Sequence, residues 1–135
     1  MRTFPSLLIS PSAQDHVFLR NVFESLGRRL LTACSRAEAQ PLLDCPGLSL
    51  ILTERDLPDG SWKDVLAEAE SRRPAPLVIV TSRLADDRLW AEVLNLGGYD
   101  VLAKPLDAQE AVRVLNLAWH HRPHLDAAAA GHRAA

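Results

Sequence analysis

Lysine is almost missing from this chain. Among 15 basic residues only Lys63 and Lys104 are lysines, so each marks a position to examine. Cysteine is nearly as scarce. Cys34 and Cys45 are the two present, too few for a disulfide framework and wrongly spaced for zinc, and they read as small buried or half-buried thiols. No apolar run approaches the length of a membrane span. The opening MRTFPSLLIS holds too short an apolar stretch for an export signal, so the cytoplasm is the expected compartment. An excess of one charge is also lacking. The net charge of -2 gives no basis for nucleic-acid binding through bulk charge. No glycine-rich phosphate loop follows the first apolar run, where Pro11 and Ser12 stand.

What is present is ordinary for a folded domain. The chain has 135 residues, 47% hydrophobic and 24% charged, enough for one domain with a real core. Strand-length apolar runs alternate with helix-length segments. Ser6 to Ser10 reads as a buried strand, and Ser12 to Leu26 as a helix capped by Ser12 and stopped by Gly27, with Val17, Leu19, Val22, Phe23 and Leu26 at helical spacing. Arg29 to Cys34 is a second strand. Ser35 to Leu43 is a short helix with Ala37, Ala39 and Leu42 inward, broken by Pro46-Gly47. Leu48 to Thr53 is a third strand, Glu54 to Gly60 a loop, and Ser61 caps a helix to about Arg72. Leu77 to Val80 is a fourth strand, Thr81 to Ala85 a loop, and Asp86 to Leu96 a helix stopped by Gly97-Gly98. Tyr99 to Ala103 is the fifth strand, and Asp107 opens a last helix to about His121 that Pro123 ends. Residues 4–121 form the domain, and 122–135 are expected to be a mobile tail.

Five strands alternating with five helices predict an α/β doubly wound parallel sheet. Right-handed crossovers put helices on both faces, and ligands bind outside the carboxyl ends of the strands. The residues there are Ser10, Pro11, Thr53, Glu54, Thr81, Ser82, Lys104 and Pro105.

Three of these segments resemble the receiver domain of bacterial response regulators. ERDLPDG is similar to the family's segment after the third strand, in which an Asp stands four residues before a Pro. Thr81-Ser82 after LVIV matches the Thr or Ser behind the fourth strand. GGYDVLAKPLD is similar to G-x-x-D-[YF]-[LI]-x-K-P-[FL], with Lys104 at the lysine position. The resemblance covers about residues 4 to 121 and implies a flavodoxin-like or CheY-like sheet of strand order 2-1-3-4-5. It also exposes departures. The acidic pair that holds Mg2+ in the family falls on Ser10 and Pro11, and the phosphoacceptor Asp falls on Glu54. The aromatic switch position falls on Val101, with Tyr99 two residues earlier as a partial substitute on the same strand face.

Phosphoryl transfer to a carboxylate needs an in-line Asp, a divalent metal, and donors for the phosphoryl oxygens, which in this family are the lysine and the Thr or Ser. Ser10 offers a neutral oxygen and Pro11 no side-chain ligand, so Glu54 is the one carboxylate expected in the pocket and Mg2+ binding is expected to be weak or absent. Asp15, one turn into the first helix, and Asp56, in the loop, are near in sequence, and reach of either into the pocket is the less favoured alternative, given the positional demands of a metal site. Glu54 is one methylene longer than Asp and can reach Lys104. The pair would then either imitate the phosphoryl–lysine contact in a fixed active-like state or merely neutralise a buried lysine. Thr81 retains a phosphoryl-contact position or simply caps its loop. Trp62, Trp90 and Trp119 lie on the last three helices. Trp90 and Trp119 fall on elements that receivers use for partners and are interface candidates. His120, His121, His124 and His132 show no ligand spacing.

The functional expectation is a receiver-like, non-enzymatic signalling module of a two-component pathway that works by protein–protein contact without phosphorylation. Its partner would be a histidine kinase, a phosphotransfer protein or an output protein. A homodimer through the fourth-helix, fifth-strand and fifth-helix face is the oligomer the resemblance implies. A working phosphoacceptor using Asp56 or Glu54, and a small-molecule binder on the same fold, are the alternatives.

Overall fold

The computed structural model describes the backbone of residues 4–134 and the side chains through His121. In chain order the elements are β1 (Ser6–Ile9), α1 (Ala13–Ser25), β2 (Leu30–Ala33), α2 (Arg36–Ala39, continued by a 3-10 turn over Gln40–Leu42), β3 (Leu50–Glu54), β4 (Asp56–Leu57), β5 (Gly60–Ser61), α3 (Trp62–Glu70), β6 (Leu77–Ser82), α4 (Asp87–Leu96), β7 (Asp100–Ala103) and α5 (Ala108–Ala134). Five strands form one parallel sheet in the order β2-β1-β3-β6-β7. With the small β4–β5 hairpin set aside, this is the order 2-1-3-4-5 of a doubly wound CheY-like, flavodoxin-like sheet.

Side chains alternate across the sheet, so each strand feeds two cores. Leu7, Ile9, Ile51, Val78, Val80 and Val101 pack against α2, α3 and α4. Leu8, Leu50, Leu52, Ile79 and Leu102 pack against α1 and α5. Continuous apolar strands are what a sheet covered on both faces requires. The helix starts follow the capping residues. Ser12, Ser35, Ser61 and Asp86 each accept a backbone N–H of the first turn, and Ser61 and Asp64 complete a capping box. Gly97 ends α4 at a φ of 106°, a left-handed cap that suits glycine.

Several expectations need correction. The loop after β3 carries the β4–β5 hairpin, held by Asp59, whose carboxylate accepts the N–H groups of Arg36 and Ala37 at 2.9 and 3.0 Å. These bonds hold the Asp59 carboxyl below its ordinary pKa. Strand β6 runs on through Thr81 and Ser82, because both pair with β7. Val17 is 61% exposed and Ala37 is exposed, since each sits off the apolar stripe of its helix. Cys34 is exposed, because β2 ends at Ala33 on the sheet edge. α5 continues past Pro123 to Ala134. Proline removes a single helix hydrogen bond there, and the alanines at 127–130 are the best helix formers. The expected mobility of 122–135, and the side chains of His124 and His132, lie outside the described residues. Among the described residues no helix is long and apolar enough to cross a membrane.

The two cores set a contrast. Leu52, fully buried on the central strand, should cost about 2–5 kcal/mol when cut to alanine, through lost burial and the cavity left behind. Val17→Ala should stay within about 0.5 kcal/mol. Urea unfolding midpoints of the two variants measure the difference.

Candidate functional site

The carboxyl edge of the sheet gathers five side chains from five segments. Ser10 follows β1, Asp15 lies in the first turn of α1, and Glu54 closes β3. Thr81 stands in β6, and Lys104 follows β7. Parallel register does much of the positioning, for Glu54 is the direct neighbour of Thr81 on the adjacent strand. Lys104 is anchored by its own N–H, which donates to the Ser82 carbonyl at 2.9 Å.

The lysine is the centre of the cluster. Its Nζ donates to Asp15 Oδ2 at 2.8 Å and contacts Glu54 Oε2. Thr81 Oγ1 donates to the same Glu54 oxygen at 3.1 Å. Ser10 Oγ donates to Asp15 Oδ2 at 2.8 Å and accepts from Ser12 N at 3.1 Å. The side chains of Lys104 and Asp15 are only 10% and 7% exposed, so the charges meet away from bulk water. Burial is the largest single influence on Lys104 and pulls its pKa down. The hydrogen bonds and charges of Asp15 and Glu54 together outweigh it and hold the ammonium above its ordinary value.

Asp15 is the residue the sequence reading misplaced. Glu54 is not the one carboxylate in the pocket, because the first turn of α1 swings Asp15 across the end of β1. A signal existed in the spacing Ser12-x-x-Asp15, a helix-start pattern. Here only half a capping box forms, with Asp15 N donating to Ser12 Oγ at 3.3 Å, and the Asp15 carboxylate turns to Ser10 and Lys104 instead. His16 was not singled out at all. It is buried, and its Nε2–H donates to the Ser10 carbonyl at 2.7 Å, which fixes the end of β1.

The remaining candidates divide. Pro11 is exposed and contributes no side chain to the cluster. Asp56 points to solvent, 81% exposed, and its nearest cation is Arg55 at 3.9 Å. Thr81 does not cap its loop. That role falls to Ser82, whose Oγ accepts Leu84 N at 3.0 Å. Val101 is buried against α3 and α4, whereas Tyr99 packs on the opposite core and stacks edge-on with His121. Tyr99 therefore does not share a face with Val101, because β7 begins only at Asp100. Trp90 is 50% exposed on α4 and donates from Nε1 to Asp100 at 3.3 Å. Trp119 is instead held in the fold, edge-on to Phe23 at 5.6 Å with Arg28 over its ring at 4.4 Å. Among the described residues no group of three or more His, Cys, Asp or Glu could hold a metal ion. The Lys104 ammonium contacts both the Asp15 and the Glu54 carboxylates, and the Ser10 hydroxyl donates to Asp15.

No protein-family model matches the chain. Among curated proteins it is similar to the response regulator PilR of Pseudomonas aeruginosa, 34% identical over 98 residues, which is 69% of this chain and 22% of PilR. It is also similar to the aerobic respiration control sensor ArcB of Escherichia coli strain K12, 29% identical over 117 residues, which is 84% of this chain and 15% of ArcB. The chain thus spans a small part of either relative. Among solved structures it resembles the signal receiver domain of an HD domain-containing protein from Pseudomonas fluorescens Pf-5, with a TM-score of 0.81 at 26% identity over 91% of this chain and 99% of that one. The same fold recurs in the Saccharomyces cerevisiae receiver domain of Ssk1, crystallised with the histidine phosphotransfer protein Ypd1, with a TM-score of 0.73 at 15% identity over 82% of this chain and 84% of that one. Five strands in this order, a Thr and a Lys converging on the carboxylate that ends the third, and these relatives make the chain a response-regulator receiver domain of the CheY-like type.

Proposed function

We propose that this receiver domain serves a two-component pathway as a preset, phosphorylation-independent interaction module. The observation that carries the reading is the position of Lys104, whose ammonium is held between Asp15 and Glu54. In the family the lysine donates a hydrogen bond to the phosphoryl oxygens. Here its bonds are already made. Thr81, the second donor, is likewise engaged by Glu54. The metal half of the site has Ser10 and Pro11 where the family has two carboxylates, so Mg2+ has little to bind. The module forms no covalent intermediate and catalyses nothing of its own.

The alternative of a shifted acceptor finds little support. Asp56 lies in the β4–β5 hairpin, which Asp59 ties to α2, so the loop is not free to carry Asp56 inward. Glu54 as acceptor would first have to release both Lys104 and Thr81.

The partner is a signalling protein, namely a histidine kinase, a phosphotransfer protein or an output protein. Its docking face is the α4, β7 and α5 side, where Trp90, Leu94, Leu96 and Leu117 are exposed. A homodimer would use the same face. Trp119, already packed, takes no part.

Two measurements test the preset site. Incubation with acetyl phosphate and Mg2+ should leave the intact mass unchanged; a stable gain of about 80 Da, the mass of a transferred phosphoryl group, on Glu54 or a neighbour overturns the proposal. The second is alkaline unfolding. A raised Lys104 pKa means the folded state holds its proton longer than the unfolded state. The stabilisation is complete below the unfolded value of about 10.4 and is lost as pH rises through the higher folded value. Tyr99, its pKa raised by burial and by Asp100, titrates in the same direction, so Tyr99→Phe is the background. Urea midpoints should fall above about pH 10.4 in that background and should lose most of this fall when Lys104→Met is added.

A further inference from the structure

Beside the Lys104 cluster, between α1 and the segment leading from β7 into α5, lies a cleft of about 470 Å3. Phe18, Pro105 and Leu106 give it apolar walls. Gln14 and Arg83 face it with polar groups, and the Asp15–Lys104 pair completes the lining. Clefts of about 300–1,000 Å3 with mostly apolar walls and a few polar groups suit small organic molecules.

The charges in this cleft are unequally engaged. Lys104 is shared by Asp15, at 2.8 Å, and Glu54, so it has no charge to spare for an incoming anion and Arg83 is the cation that must supply it. Arg83, in the turn after β6, makes no hydrogen bond or ion pair among the described residues, and Gln14 likewise has its side-chain amide unengaged. An arginine fork matches a planar carboxylate with two parallel bonds. Its neighbours Phe18 and Leu106 can cover an apolar ring or chain. Cation, amide and apolar wall converge on one space.

We propose that this cleft binds a small organic anion, a free carboxylate on a compact apolar body, with Arg83 taking the carboxylate and Phe18 and Leu106 taking the body. The site goes beyond the preset reading above. It gives the domain a ligand where the phosphoryl route is closed, one seated against Lys104.

Benzoate is the probe, with benzyl alcohol and benzylamine as neutral and cationic counterparts of similar shape. Titrated into the full chain and followed by 1H–15N NMR, benzoate should shift the amides of Phe18, Arg83 and Leu106 saturably. Benzyl alcohol should bind about tenfold more weakly, the loss of one charge-assisted pair. Arg83→Ala should weaken benzoate by the same factor while leaving benzyl alcohol unchanged, and Arg83→Lys should restore part of the loss. Arg83 is exposed, so both variants should keep the fold, which the rest of the spectrum reports. The proposal is overturned if the three probes bind alike, if benzoate gives no saturable shift, if its shifts lie elsewhere, or if its affinity ignores Arg83→Ala. A phosphoryl adduct in the acetyl phosphate experiment would leave this result untouched, so the two readings fail separately.

Discussion

An ammonium that keeps a tenth of its side-chain surface in water has to be answered by charge from the protein. For Lys104 the answer comes from two directions, Asp15 on α1 and Glu54 at the end of the central strand. The interaction therefore joins the helix layer, the middle of the sheet and its edge at one atom. Removing one partner of such a buried pair typically costs about 3–5 kcal/mol, because the charge left behind has no solvent to turn to. The hydroxyls of Ser10 and Thr81 take the remaining capacity of the same two carboxylate oxygens. A neutral Ser10 is suited to this place, since a third carboxylate beside Asp15 would add repulsion where two already face a single lysine.

The fold makes the meeting possible before any side chain is chosen. Parallel strands β3, β6 and β7 lie side by side, and their register brings Glu54 beside Thr81 and Thr81 beside Leu102, two residues before Lys104. The longer side chain of Glu54 then crosses to the lysine on its own. On the preset reading, lengthening the acceptor and moving an acid from the strand end to α1 are two halves of one change. Together they surround an ammonium in the region where the family surrounds a metal ion and a phosphoryl group.

The sheet was legible because its strands are continuous apolar runs separated by capping serines, glycines and prolines. Each signal is local, and the strand order came with the resemblance of GGYDVLAKPLD. The meeting of Glu54, Thr81 and Lys104 was legible for the same reason, since each lies at or just past the carboxyl end of an apolar run. Asp15 was not, because its place depends on how α1 leaves β1, and a helix-start Asp reads equally well as a cap. The hairpin at Asp56–Ser61 was hidden by its length, two residues a side, too short for any periodicity. Tyr99 and Val101 were assigned to one face by counting alternation from a strand that starts one residue later than the apolar pattern. Trp119 shows the limit of reading aromatics by position, because Phe23 and Arg28, far off in sequence, decide that it packs inward.

The output side of the domain depends on how much freedom the switch position retains. An aromatic there can trade a solvent-facing rotamer for a buried one when Thr81 moves. Val101 has no such pair of states. It is β-branched and stiff at χ1, buried among Val80, Leu89 and Val93, and its backbone is fixed in β7. Thr81 itself is committed to Glu54. On the preset reading proposed above, Val101 and Thr81 leave the usual route without a second arrangement, and the α4 face with its exposed Trp90, Leu94 and Leu96 keeps one surface. A surface with one state cannot be regulated by shifting a population between two. On that reading control comes from what occupies the domain, through the concentration of its partner or of the ligand proposed beside Lys104.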